Sequence, residues 1–311
     1  MRAWQFTEVG SPLSLNEVDS PTPGAGDILV SVRAAGLCHS DVGFVDGTLA
    51  GLLPFTPITL GHEIAGVVSA VGADVTAFSV GQNIVVPATL TGPGVAQNGG
   101  FADEVVVAAD RVLALPDGVP FNQAAAATDA GLTSFHAVSV QGRVSAGTRV
   151  CIVGLGGLGS LGAQMALALG ATVFVAEKNP DVHEYAESLG VERVENDIAA
   201  FAGEELDVVL DFAGAGSTTD GAVPALRPGG RIVLVGLAVA RAELDLQTIT
   251  LKELEIVGSM TGSMEDCAAV LDLIADGKLE SRITQITFDE VGEGISKLQR
   301  GEVIGRLVAV F

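Results

Sequence analysis

Apolar and polar positions follow two different rhythms along the chain. Up to about residue 115, short β-like runs recur at 2–7, 13–18, 28–35, 64–70, 84–87 and 104–108, parted by turn pairs such as Pro23-Gly24 and Asp117-Gly118. No dozen-residue helical pattern interrupts the first three, and strands at this density predict a small barrel or sandwich. After Phe121 the rhythm changes. The Ala-rich stretch 123–140 reads as helix. Strands at 149–153, 172–176, 206–211, 231–237 and 254–258 then alternate with helices at 158–169, 180–189 and 217–226. These strands are apolar throughout, as expected where helices cover both faces of a sheet. The pattern predicts an α/β unit with a doubly wound parallel sheet. The tail, 264–311, shows one helix at 264–275 and mixed β signals.

The chain has 311 residues, which at ~100–200 residues per domain suggests two domains. Hydrophobic residues make up 48% and charged residues 17%, which excludes disorder as the main state. Lys+Arg number 16 against 38 Asp+Glu, a formal charge of −22. Such a chain repels phosphate backbones and anionic lipid, so neither nucleic acid nor a membrane is an expected partner. The run 150–176 holds no charged residue and exceeds the ~20 residues of a bilayer span. Its six glycines fit strand, turn, helix and strand better. Three widely spaced cysteines, Cys38, Cys151 and Cys267, form no disulfide framework. The first residues lack the apolar core of a signal peptide, so a cytoplasmic enzyme is expected.

Gly154-Leu155-Gly156-Gly157-Leu158-Gly159 fits G-x-G-x-x-G between an apolar strand and an apolar helix. In that setting Gly154 permits the tight turn, Gly156 lets a pyrophosphate approach, and Gly159 allows close helix–strand packing. Gly157 and Leu158 open the helix, whose free N–H groups suit phosphate. Glu177 ends the second strand 23 positions after Gly154, near the ~20 expected of the acid that binds a ribose 2′-hydroxyl. It favours NAD over NADP, with Lys178 alongside pulling the other way. Gly236 closes a later strand at the sheet edge where ligands bind.

Cys38-His39-Ser40-Asp41 and Gly61-His62-Glu63 lie two dozen residues apart. Thiolate, imidazole and carboxylate suit a zinc site with an open position. Each residue alone also suits ordinary packing, and the residues by themselves leave both readings open. His136 reads as packing, His183 as solvated, and Cys151 and Cys267 as core.

The order Gly36-Leu37-Cys38-His39-Ser40-Asp41, Gly61-His62-Glu63-Ile64-Ala65-Gly66, Asp129-Ala130-Gly131-Leu132-Thr133, glycine loop and Pro228-Gly229-Gly230 resembles the zinc-dependent alcohol dehydrogenases of the medium-chain dehydrogenase/reductase family. The likeness runs over essentially the whole chain. It implies a GroES-like catalytic domain at 1–129 with 264–311 returning to it, and a Rossmann domain at 130–263. The resemblance makes Cys38 and His62 zinc ligands, and Ser40 the group that passes the alcohol proton. Asp41 orients His62, and Glu63 is an alternate ligand behind the metal. His39 reaches the pyrophosphate, and Arg306 completes the expected coenzyme set. It also implies one catalytic zinc, NAD, a small alcohol or carbonyl substrate, and a homodimer or tetramer.

Three departures stand out. Asp129 occupies the place of the usual third ligand, a cysteine. The four-cysteine lobe for a structural zinc is missing from 84–98. The histidine that often ends the proton relay is Gly43. Leu49, Leu52, Leu53, Phe55 and Thr89 fall near the expected substrate cleft and favour an apolar alcohol or ketone. The competing expectations are a metal-free reductase of activated C=C or C=N bonds on the same fold, and a dinucleotide-binding protein with a sensing or structural role.

Overall fold

In chain order the structure, a computed structural model describing Met1–Phe311, opens with β1 (Arg2–Phe6), β2 (Ser14–Glu17) and β3 (Asp27–Leu37). A short helix, α1 (His39–Asp46), precedes β4 (Ile58–Thr59), β5 (Glu63–Val71), β6 (Asn83–Val86), β7 (Glu104–Ala108) and β8 (Leu113–Ala114). Then come α2 (Phe121–Ala126), a π-helical turn at Ala127–Gly131, α3 (Leu132–Phe135) and a second π-helical segment at His136–Gln141. Strands and helices now alternate: β9 (Arg149–Val153), α4 (Gly157–Ala168), β10 (Thr172–Ala176), α5 (His183–Ser188), β11 (Arg193–Glu195) and β12 (Leu206–Asp211). After these lie α6 (Ser217–Ala225), β13 (Leu226–Leu234), α7 (Leu246–Lys252) and β14 (Glu255–Gly258). The chain closes with α8 (Met264–Ala275), β15 (Ile283–Thr287), α9 (Val291–Gln299) and β16 (Arg306–Val310). Two compact units result, Met1–Asp129 with Cys267–Phe311, and Ala130–Asp266.

The first unit is the β-rich one. Its main sheet runs β15-β16-β3-β5-β6-β8 with β7 also on β3, and a small sheet runs β2-β1-β4. Ile28, Val30, Leu37, Ile64, Phe101, Val291 and Leu307 share its core. β3 is antiparallel to both β5 and β16. The carboxyl end of β3 therefore meets the amino ends of the other two, with Gly36 opposite both Glu63 and Val308.

The second unit carries the predicted doubly wound parallel sheet, in the order β11-β10-β9-β12-β13-β14. Its inner strands β9, β10 and β12 are buried on both faces, and Cys151, Phe174, Phe201, Val209 and Ile232 join one core. The strand order reverses at β9, the point where such sheets bind ligands beyond their carboxyl ends. The charge-free run resolves into β9, loop, α4 and β10, and no helix is long and apolar enough to cross a membrane.

Three expectations change. The stretch 123–140 is not one α-helix but α-helical turns broken by two π segments. Apolar periodicity does not report which carbonyl each N–H reaches. The helix expected at 180–189 begins as a 3₁₀ turn, because Asn179 Oδ1 accepts the Asp181 N–H at 3.0 Å. β13 spans Leu226–Leu234 rather than 231–237. It takes in Pro228-Gly229-Gly230 where its register with β12 breaks, a position that tolerates a missing N–H. It stops because the Val235 and Gly236 amides both donate to the Asp211 carbonyl, each at 3.0 Å.

Candidate active site

The antiparallel crossing at β3 gathers distant residues at one end of the first unit. Cys38 follows β3, His62 immediately precedes β5, Glu63 begins β5, and Arg306 begins β16. Asp129 arrives from the π-helical turn after α2, a helix that packs on these same three strands. All five side chains are buried. Gly36 makes the room: a Cβ there would overlap the Glu63 carboxylate.

The candidate ligand atoms of Cys38, His62, Glu63 and Asp129 lie within 4.8 Å of one another. Cys38 Sγ is 3.4 Å from Asp129 Oδ2, and His62 Nε2 is 3.7 Å from the same oxygen. A tetrahedral zinc with bonds of ~2.0–2.3 Å spaces its ligands by about 3.3–3.8 Å, so this sulfur, nitrogen and oxygen set fits the ion. Asp41 stands behind it. Its Oδ2 accepts the Cys38 N–H at 2.9 Å, and its Oδ1 faces His62 Nδ1 at 3.4 Å, an arrangement that aims Nε2 into the cluster. Burial favours neutral His62. The charge of Asp41, then hydrogen bonding to Asp129, Asp41 and Cys38, outweighs it and raises the imidazole well above its ordinary pKa.

Ser40 Oγ lies 3.0 Å from Cys38 Sγ and 3.3 Å from His62 Nε2. Arg306 donates through Nε to Glu63 Oε2 and through Nη2 to Asp129 Oδ2, each at 3.1 Å, and Nη2 also pairs with Glu63 Oε1. The sequence assigned Arg306 to the coenzyme. The structure sets its guanidinium between two carboxylates of the candidate metal cluster. His39 starts α1 with its surface exposed. Desolvation of its ring, and then the nearby charge of Arg306, lower its pKa.

The absent relay histidine leaves no gap. A Cβ at Gly43 would meet Leu49 Cδ1 at 2.8 Å and Thr48 Oγ1 at 3.1 Å. Of the residues expected near substrate, Leu52 and Phe55 are exposed, whereas Leu49 and Leu53 pack on the core. The Ala88 N–H donates to the Thr128 carbonyl at 2.9 Å, which sets Thr89 beside the segment bearing Asp129. The loop from Pro87 to Asn98 contains no cysteine.

In the second unit the glycine loop forms as expected. Gly154 has φ +84°, a conformation that favours glycine. A Cβ at Gly159 would overlap the Gly154 carbonyl, so α4 sits directly on the turn, while a Cβ at Gly156 would meet nothing within 4 Å. That open backbone, followed by Gly157 and Leu158 at the start of α4, suits a pyrophosphate. Glu177 Oε2 accepts the Leu155 N–H at 2.6 Å and Oε1 accepts the Asn179 N–H at 2.8 Å. Lys178 is exposed beside it. Gly236 packs backbone to backbone against Ala213 and Gly214.

Two residues were misread. His183 is not a solvated helix residue: its Nε2 lies 2.6 Å from the Glu177 carbonyl oxygen. Asp211 drew no attention in the sequence, yet it is fully buried. It accepts from the amides of Ala213 and Gly214 and the hydroxyls of Thr218 and Thr219. Its signal was an acid closing an otherwise apolar strand.

A buried sulfur–nitrogen–oxygen cluster on a GroES-like unit, with a dinucleotide loop on a Rossmann unit, defines a metal-assisted nicotinamide oxidoreductase. The sequence families "Alcohol dehydrogenase GroES-like domain" and "Zinc-binding dehydrogenase" match residues 24–117 and 157–276. The chain is 30% identical to the NAD-dependent alcohol dehydrogenase of Saccharolobus solfataricus, with 100% of both sequences covered. That alignment runs over 349 positions against 311 residues here, a difference of 38. The alcohol dehydrogenase of the archaeon Aeropyrum pernix superposes with a TM-score of 0.92 at 28% identity, covering 100% of each chain. Acetophenone reductase of Geotrichum candidum, solved with NAD, superposes at 0.91 and 29% identity, over 100% of this chain and 97% of that one. The chain belongs to the zinc-dependent alcohol dehydrogenases of the medium-chain dehydrogenase/reductase family.

Proposed function

We propose that this protein is an NAD-dependent alcohol dehydrogenase that interconverts an apolar primary or secondary alcohol with its aldehyde or ketone. The observation that carries this reading is the buried Cys38–His62–Glu63–Asp129 cluster on a chain of this family. Cys38, His62 and Asp129 hold the zinc, and Glu63 stands as the reserve carboxylate. When bound, the zinc supplies Lewis acidity toward the substrate oxygen, and the nicotinamide supplies the hydride acceptor. Asp41 orients His62. Ser40, within hydrogen-bond reach of the cluster, takes the hydroxyl proton. The Gly154–Gly159 loop seats the pyrophosphate, Glu177 holds the adenosine ribose and disfavours a 2′-phosphate, and Gly236, Lys178 and His39 border the coenzyme, while Arg306 holds Glu63 and Asp129.

Exposed Leu52 and Phe55 support an apolar substrate. β14 lies at the sheet edge, and Leu237, Leu246, Leu251 and Met260 in the same unit are exposed. These support a homodimer or tetramer, in line with a cytoplasmic enzyme. No observation favours the metal-free reductase over this cluster.

The test is metal content beside NAD-linked turnover, with and without chelator, for the unmodified chain and Asp129→Ala. Expected are about one metal per chain, chelator-sensitive turnover, and loss of both in the variant. Full activity below about a tenth of a metal per chain would end the zinc mechanism. Retained metal and activity in Asp129→Ala would remove only the role given to Asp129.

A further inference from the structure

Glu177 is held at four points. Its N–H donates to the Glu195 carbonyl at 2.8 Å. Its two carboxylate oxygens accept the N–H groups of Leu155 and Asn179. Its own carbonyl lies 2.6 Å from His183 Nε2. A carbonyl oxygen only accepts, so Nε2 carries the proton and donates. Three of these contacts are backbone to backbone or backbone to carboxylate, and substitution of the neighbour leaves them in place. The fourth comes from a side chain, and it alone is removable. His183 opens α5 and reaches back across residues 178–182 to Glu177, just past the end of β10. It ties the first turn of that helix to the residue that aims the carboxylate.

We propose that His183 is a positioning residue for coenzyme choice: by fixing the Glu177 carbonyl it fixes the direction of the Glu177 carboxylate toward a ribose 2′-hydroxyl. This rests on the NAD reading above. The carboxylate oxygens each retain a lone pair beyond the two amides they accept, and a vicinal diol uses these only when the carboxylate is held still. A carboxylate free to swing recognises the diol less well and repels a 2′-phosphate less sharply. The ligand chemistry is therefore an unphosphorylated adenosine ribose, and His183 acts on it through Glu177 without touching it.

The test is the dissociation constant of NADH and of NADPH, read by nicotinamide fluorescence on the full chain, for the unmodified protein, His183→Ala and His183→Gln. The Gln amide offers an N–H donor of similar reach. His183→Ala should bind NADH about three- to tenfold more weakly, the effect of one hydrogen bond. NADPH should change less, so that the ratio of the two constants shrinks. His183→Gln should recover most of the NADH affinity, and metal content and kcat at saturating NAD should match the unmodified protein in both variants. Unchanged NADH binding in His183→Ala overturns the proposal, as does equal loss for both coenzymes or equal loss in the Gln variant. If the unmodified protein itself fails to bind NADH, the coenzyme reading falls and the proposal with it.

Discussion

Arg306 stands 3.1 Å from Asp129 through Nη2 while its Nε holds Glu63 at the same distance. One buried cation thus lies between two buried carboxylates that are also candidate metal ligands. In the metal-free chain it offsets charge that a divalent ion would otherwise offset. Arg306→Gln should therefore be costly, about 3–5 kcal/mol, when the site is stripped by chelator, since a buried charge is left unpaired. Saturation with zinc should recover a large part of the loss. Urea unfolding with chelator and with zinc measures both. A loss that zinc does not reduce would separate Arg306 from the metal ligands.

Ser40 brings a hydroxyl to the cluster, 3.0 Å from Cys38 Sγ and 3.3 Å from His62 Nε2. Ser40→Ala should lower kcat by ~10²–10⁴, the usual range for a lost proton-transfer group. NADH affinity and metal content should stay constant. An unchanged kcat, where a deuterium isotope effect shows hydride transfer to be limiting, would take Ser40 out of the mechanism.

What the sequence could disclose followed from how far each partner lies along the chain. The glycine loop and Glu177 were legible because strand, turn, helix and strand are consecutive. Cys38 and His62 were legible as short motifs on the ends of two paired strands. Asp129 was placed by resemblance alone, since it reaches Cys38 across 91 positions through a π-helical turn that apolar patterning does not mark. Arg306 meets Glu63 across 243 positions. Its β16 pairs with β3 and β15 at a register that no local pattern fixes, so its place between the two acids stayed hidden. His183 was missed for a different reason. Its acceptor is a main-chain carbonyl, which every residue carries and no sequence distinguishes.

Gly36 faces Glu63 in the β3–β5 register, and the carboxylate fills the volume a Cβ would take. Glu63 cannot step aside, since Arg306 holds it from the other side. Gly36→Ala should cost about 1–3 kcal/mol by overpacking and should lower metal content. In a Glu63→Ala background the same Gly36→Ala change should cost much less, because the contested space is already empty, although Glu63→Ala itself weakens the pairing of buried Arg306. Thermal unfolding and metal analysis of the single and double variants decide this. A single variant as stable as the unmodified chain, with its metal intact, would show that the carboxylate is not confined.

Asp207 joins three strands at the amino edge of the parallel sheet. Its Oδ2 accepts the Arg149 N–H at 2.7 Å and its Oδ1 accepts Arg227 Nε at 2.6 Å. Partial burial works against its charge, but the Arg149 amide and the Arg227 guanidinium outweigh that and lower its pKa. The sign follows from linkage. A carboxylate whose folded pKa is depressed stabilises the fold above its unfolded value of ~3.9, and that contribution is lost as pH falls through the folded value. Asp207→Asn keeps an oxygen for the Arg149 amide and removes the charge. The unmodified chain should be the more stable of the two at neutral pH. The gap between their urea midpoints should hold down to about pH 5 and close as the pH drops below ~3.9. A gap that stays constant, or widens, in that acid range would mean that Asp207 contributes through shape and neutral hydrogen bonding, with its ionisation playing no part.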